Sequence, residues 1–427
     1  MSEHTRPLNR QDYKTLTLAA LGGALEFYDF IIFVFFAAVV GEHFFPADIP
    51  EWLRQVQTFG IFAAGYLARP LGGIIMAHFG DLLGRKKMFT LSIFMMALPT
   101  LGMGLMPIYA QIGVAAPILL LVLRIIQGAA IGGEVPGAWV FVSEHVPGKH
   151  VGYACGTLTA GLTFGILLGS LMATLINTVF TPVEVADYAW RFPFIIGGVF
   201  GQFSVYLRRW LHETPVFAEA MARREKLRLP MVETFGKHGK AVLLGALSMV
   251  VCYALFYIST VFSLSYGVKN LGYSRQEFLG LLCIAVLFMA LATPLSAWLA
   301  DRFGRKPVLA VSAIAALLSG FAMEPLLTHG SSQAVGLFLA LELFLMGMTF
   351  GPMGALLPEI FPTQVRYTGA SAAYNLGGIL GASLAPYAAQ QLVEAGGLSW
   401  VGGYVSAAAA ISLLAVLCMR ETRDQSL

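Results

Sequence analysis

Twelve long apolar runs separated by charged connections make up this chain, and that alternation constrains its fold more than any other feature. The runs fall near residues 16–41, 55–79, 88–107, 113–141, 152–178, 192–211, 240–267, 276–299, 308–327, 334–357, 368–393 and 398–419. About 20 apolar residues let a helix cross the hydrocarbon of a bilayer. Lipid offers an open peptide group no partner, so each run is expected to be helical; the residue alternation of a barrel strand is missing. Charged residues are 12% of the 427 in the chain, against about a quarter in soluble proteins. That is too little polar material to coat a water-soluble particle of this size. The expected class is an all-α, multi-pass membrane protein with twelve transmembrane helices.

Even parity puts both termini on one side, and the basic residues indicate which. Twenty-one of the 27 lysines and arginines fall in alternate connections that share a side with the termini, among them Arg85, Lys86, Lys87, Arg208, Arg209, Arg224, Lys226, Arg228, Arg302, Arg305 and Lys306. Arg54, Arg191, Lys269 and Arg275 are on the other side. Basic loops stay in the cytoplasm, so cytoplasmic termini are expected. A net charge of +3 gives no footprint for nucleic acid. Cys155, Cys252, Cys283 and Cys418 lie far apart within apolar runs and read as thiols rather than metal ligands. No metal or cofactor is expected. The polar start and the length of the first run argue against a cleaved leader.

The chain repeats itself. Gly80-Asp81-Leu82-Leu83-Gly84-Arg85-Lys86 after the second run is echoed by Ala300-Asp301-Arg302-Phe303-Gly304-Arg305-Lys306 after the eighth. Ser143-Glu144-His145-Val146-Pro147 is echoed by Pro358-Glu359-Ile360-Phe361-Pro362 at nearly the same offset. Two echoes in register point to a duplicated six-helix unit. The expected organisation is a half at 1–211, a charged linker at 212–239 and a second half at 240–427, related by a pseudo-two-fold axis.

These residues resemble the major facilitator superfamily, whose signature between spans 2 and 3 is Gly-x-x-x-Asp-Arg/Lys-x-Gly-Arg-Arg/Lys. The chain departs from it at Ala77, Leu82 and Ala297. Within that superfamily, several stretches resemble the metabolite–proton symporters: Gly23-Ala24-Leu25-Glu26-Phe27-Tyr28-Asp29-Phe30, Arg124-Ile125-Ile126-Gln127-Gly128 with Gly132-Gly133-Glu134, Trp190-Arg191-Phe192-Pro193-Phe194, and Glu213-Thr214-Pro215-Val216-Phe217. The resemblance implies the major facilitator fold and proton-coupled import by alternating access in a bacterial inner membrane. The solute would be a small carboxylate or zwitterion such as citrate, 2-oxoglutarate, shikimate, proline or betaine. The partners would then be that solute, protons and the lipid bilayer, with a monomer expected. A facilitator or exporter of the same solutes, and a receptor that kept the fold without turnover, remain open. No nucleophile elbow or phosphate-binding loop suggests an enzyme.

Charge inside a bilayer costs at least ~2.5–3.5 kcal/mol per residue. Glu26, Asp29, Arg69, Arg124, Glu134 and Glu342 nevertheless fall inside runs. At ~1.5 Å of rise per residue, Asp29 stands ~22 Å above Lys14 and Glu26 ~18 Å. In the superfamily, spans 1 and 4 face a central cavity. Two layers are therefore expected, Asp29 with Arg124, and Glu26 or Glu134 near Arg69. The resemblance makes Asp29 and Arg124 the coupling pair. Glu342 could be a protonated acid on the cavity wall, a specificity residue or a contact between helices. Candidate substrate contacts are Tyr28, Arg124, Gln127, Tyr253, Tyr257, Tyr374 and Asn375. The candidate cytoplasmic gate is Asp81, Arg85, Asp301, Arg302 and Arg305, with Glu144 and Glu359.

Overall fold

The computed structural model describes residues 5–223, 229–328, 330–424 and 427; Arg224, Lys226 and Arg228 of the basic linker lie outside the described residues. Helix α1 is Arg10–Phe44, α2 Glu51–Leu83, α3 Arg85–Leu105 and α4 Ala115–Ser143. Helix α5 runs in two pieces, Val151–Ala160 and Leu162–Val179, and α6 is Arg191–Arg208. Two short helices, Pro215–Ala222 and Pro230–Lys237, lead to the second half. There α7 is Gly239–Tyr257, prolonged by a π turn at Ile258–Phe262 and by Ser263–Lys269. Helix α8 is Arg275–Phe303, α9 Arg305–Ser319, and α10 Ser332–Phe350 continued by Met353–Glu359. Helix α11 joins Arg366–Gly378 to Ala385–Gly396 through a π turn at Ile379–Ser383, and α12 is Leu398–Leu417. Among the described residues there is no strand, and nine helical segments are long and apolar enough to cross a membrane by themselves. Helices α2, α6 and α11, which carry arginines, glycines or the π turn, complete the twelve.

Short sequence signals set the helix ends. Asn9 accepts from the Asp12 amide and Asp12 accepts from the Asn9 amide, starting α1; Ser274 and Glu277 do the same for α8. Each reciprocal pair satisfies two amides that have no partner within the helix. Between α2 and α3, and between α8 and α9, the chain turns on one residue. Gly84 has φ 125° and Gly304 φ 108°, a region that a side chain disfavours. Both charged echoes thus keep Gly-Arg-Lys because their glycine makes the turn.

Within the first half α2 packs on α4, α3 on α6 and α1 on α5; within the second, α8 packs on α10, α7 on α11 and α9 on α12. The halves meet along two seams, α2 with α11 and α5 with α8, which exchange under the pseudo-two-fold. The α2–α4 contact is backbone on backbone. A Cβ on Gly128 would overlap the Gly65 carbonyl oxygen, and one on Gly132 the Arg69 carbonyl oxygen. Small residues four apart allow such approach in membranes. Gly128→Val is therefore expected to force α4 off α2 at a cost of at least ~1–3 kcal/mol. A lower thermal midpoint of the purified protein in detergent would show it; an unchanged midpoint would contradict the packing.

Candidate functional site

Between the halves lies a cavity of about 100 Å³. The first half contributes Glu26 and Phe27 from α1, Arg69 from α2 and Thr163 from α5; the second contributes Tyr253, Phe256 and Tyr257 from α7, with Tyr374 and Asn375 from α11. The π turn of α11 lines it through Ile379 and Ala382, and that of α7 begins one residue after the lining Tyr257; such turns are frequent at functional sites. Four expected contacts, Tyr253, Tyr257, Tyr374 and Asn375, thus reach the wall. Tyr28 does not line it. Its hydroxyl donates to the Pro193 carbonyl at 2.6 Å, because at ~100° per residue it points well away from the face of Glu26.

Beneath the cavity, the fully buried Trp139 meets the rings of Phe350 at 5.5 Å and Tyr374 at 5.4 Å. The α4 backbone there accepts from the opposite half: Asn375 Nδ2 reaches the Gly132 carbonyl at 2.9 Å and the Tyr367 hydroxyl the Gly133 carbonyl at 2.8 Å. Tyr367→Phe removes one such tie, worth about 1 kcal/mol, or about fivefold in the population of the state that contains it. Faster maleimide labelling of Cys155, which is buried against Trp139 and Gly354, would report the shift.

Asp29 and Arg124 meet inside the first half. Arg124 Nη1 donates to Asp29 Oδ2 at 2.9 Å and to Gln127 Oε1 at 2.7 Å. Gln127 Nε2 donates to Thr100 Oγ1 at 2.8 Å, and Thr100 Oγ1 to Asp29 Oδ1 at 3.3 Å. The Phe33 ring lies 4.4 Å from the guanidinium carbon. Arg124 and Gln127, expected as substrate contacts, are consumed by this ring of bonds and do not line the cavity. Arg69 Nη1 stands 3.6 Å from Glu26 Oε1 at the cavity wall.

Glu134 does not join Arg69. It takes Arg208 Nη2 at 2.7 Å and the Ser92 hydroxyl, all fully buried. Arg208, counted above among the basic residues of a connection, turns inward instead and also caps the Leu18, Ala19 and Phe89 carbonyls. The signal was present: Gly197, Gly201, Ser204 and Arg208 are spaced as one helical face, and all four are buried. Glu342 is buried inside α10, away from the cavity lining, and its Oε1 has no hydrogen-bond partner among the described residues.

At the face that carries both termini, the halves are clamped by reciprocal caps. Asp81 accepts from the Tyr367 and Thr368 amides at 3.2 and 2.8 Å and from the Thr368 hydroxyl at 2.6 Å, at the start of α11. Asp301 accepts from the Gly152 and Tyr153 amides at 2.9 and 2.7 Å, at the start of α5. Each carboxylate thus sits on the positive end of a helix in the other half. Arg85 holds Asp81 at 2.5 Å, Glu144 at 3.3 Å and the Thr363 carbonyl at 2.7 Å. Arg305 holds Asp301 at 2.6 Å and Glu359 at 2.8 Å. Arg366 crosses to Glu144 at 2.7 Å. Burial disfavours the Glu144 carboxylate, yet Arg85 and Arg366, with the Thr214 hydroxyl, outweigh it and hold the group below its ordinary value. Arg302 takes no part; it is exposed and lies over Trp298 and Phe303.

A third echo emerges here. Glu213 accepts from the Lys86 amide and Thr214 donates to Glu144; Glu421 accepts from the Arg305 and Lys306 amides and Thr422 donates to Glu359. The Glu-Thr pairs, at the ends of α6 and α12, could have been found as one more repeat.

Twelve helices in two like halves, closed at one face around a shared cavity, define a membrane carrier of the major facilitator fold. The description "Sugar (and other) transporter" matches residues 15–228 and 232–427, and the chain belongs to that family of the major facilitator superfamily. It is a transporter, not an enzyme. It is 39% identical to the inner membrane metabolite transport protein YhjE of Escherichia coli, over 99% of this chain and 97% of that one. It is 32% identical to the E. coli proline/betaine transporter, over 97% and 84%, and 32% identical to the E. coli shikimate transporter, over 97% and 98%. The solved proton:xylose symporter XylE superimposes with a TM-score of 0.76 at 17% identity, covering 96% of both chains.

Proposed function

We propose that the protein is a proton-driven importer of a small carboxylate or zwitterion, set in a bacterial inner membrane with both termini in the cytoplasm. The observation that carries this reading is the Asp29–Arg124 pair: an acid and a base, 2% and 6% exposed, retained in a lipid-embedded bundle one helical turn beyond a solute-sized cavity. Such a pair is costly to keep, and an acid and a base inside a membrane mark a functional site by default. While Asp29 is ionised it holds Arg124; a proton on Asp29 releases the guanidinium and loosens its ring with Gln127 and Thr100. Solute and proton would thereby share one conformational equilibrium. The names of the relatives, which include metabolite, proline/betaine and shikimate transport, support the solute class.

Proteoliposomes decide it. With shikimate, L-proline and glycine betaine offered in turn, an acid exterior should accelerate uptake and drive accumulation of the accepted solute. Uptake indifferent to the proton gradient would make the protein a facilitator. Binding without counterflow exchange would make it a receptor.

A further inference from the structure

The cavity wall carries an ion pair unlike the others in the protein. Asp29 and Glu134 have both carboxylate oxygens taken, at 2.7–3.3 Å where Arg124, Thr100 and Arg208 reach them. Glu26 does not. Its Oε1 stands 3.6 Å from Arg69 Nη1, beyond hydrogen-bond length. Its Oε2 is buried with no hydrogen-bond partner among the described residues, and so is Thr163 Oγ1 beside it on the same wall. A guanidinium, a loosely held carboxylate and an unspent hydroxyl therefore face one solute-sized space.

We propose that Arg69 is the landing site for the substrate's carboxylate, and that the arriving carboxylate takes the place of Glu26, which binds a proton as it is displaced. This rests on the transport reading above and adds a proton site distinct from Asp29. The step balances: one ion pair with Arg69 is exchanged for another, one proton passes from water to Glu26, and no bond in the substrate changes. A monoanion such as shikimate and its proton together add no charge to the cavity, and a zwitterion and its proton add one positive charge.

The surroundings leave Glu26 no other cation. Arg69 faces it from α2. Helix α4 brings Glu134 and Arg124, committed to Arg208 and Asp29. Asp29 is on its own helix. Helix α5 offers Thr159 and Thr163 and no ionisable residue within Leu162–Val179, and the opposite half offers the phenols of Tyr253, Tyr257 and Tyr374. A carboxylate separated from Arg69 here would be an unpaired buried charge among other acids, which neutralises in preference to persisting.

The test measures proton uptake on binding, with purified full-length protein in weakly buffered detergent solution. Shikimate, L-proline and glycine betaine, one carboxylate each, are added at millimolar concentration. Wild type should take up about one proton per solute bound, with affinity falling about tenfold per pH unit on the alkaline side. Glu26→Gln should bind with no proton uptake and no such pH dependence, and Glu26→Asp should restore both. Undiminished uptake in Glu26→Gln, or no uptake by wild type with any of the three, overturns the inference. The transport reading is judged separately by gradient-driven accumulation in wild-type proteoliposomes, so either idea can fail alone.

Discussion

Asp29→Asn should lower steady-state accumulation about tenfold per unit of pH gradient while leaving solute exchange across the membrane in place. Each proton coupled to a solute lets a gradient of two pH units sustain about 100-fold of accumulation, since each pH unit is about 1.4 kcal/mol. Asparagine keeps the shape of Asp29 and its one carbonyl oxygen can still accept from Arg124, but its amide nitrogen replaces the oxygen that faces Thr100 and it cannot gain or lose a proton. The ring around Arg124 would then be fixed in one charge state, and movement of the solute would no longer need a proton at this site. Counterflow of labelled solute checks that the variant still binds and rocks. Undiminished accumulation by Asp29→Asn would remove the residue from coupling and leave it as a brace between α1 and α4.

The second large effect is expected at Glu144. This carboxylate holds Arg85 and, across the seam, Arg366. Glu144→Ala leaves two buried guanidinium groups facing one another without their shared anion. Removing one partner of a buried pair costs about 3–5 kcal/mol, which is 100-fold or more in the ratio of closed to open states. Cys155 is buried on α5, just past the Gly152 and Tyr153 amides that Asp301 holds in the matching clamp. In a protein with Cys252, Cys283 and Cys418 replaced by serine, maleimide should reach Cys155 at least tens of times faster in the Glu144→Ala variant. Equal rates would show that the clamp does not bias opening. The sign of the pH effect follows from the direction of the Glu144 shift. A carboxyl held below its ordinary value stabilises the state that holds it at all pH above that value, 4.5, and releases it only as pH falls below. Acidification to pH 5.5 should therefore not open this face through Glu144.

Much of this was legible in the chain. The helices followed from lipid's inability to satisfy a peptide group, and the duplication from echoes at one offset. The resemblance to the symporters, in which spans 1 and 4 face one cavity, points to Asp29 reaching toward Arg124, and the two stand 2.9 Å apart. What the sequence hid has a common cause: a long side chain spans most of a helical turn and can point either way. Arg208 looked like a topological charge and became the partner of Glu134, because its position continues the buried stripe of α6. Gln127 and Arg124 looked available to a solute and instead satisfy one another, since a buried amide takes the nearest partner. Tyr28 belongs to the same motif as Asp29 but faces α6. Arg302 matches the superfamily signature in type, yet Leu82 stands at the equivalent position of the first hinge, and neither residue touches the other half through a hydrogen bond that the structure records.

The reciprocal caps have a consequence for leakiness. Asp81 and Asp301 are carried by opposite rigid bodies, and each grips the body that carries the other. Rotation of the halves must stretch both grips together, because neither can lengthen while the other stays short without bending a helix. Intermediate openings lose both contacts and gain nothing in return, so they are sparsely occupied. A carrier built this way would part that face in one cooperative step, which would keep any path for ions short-lived.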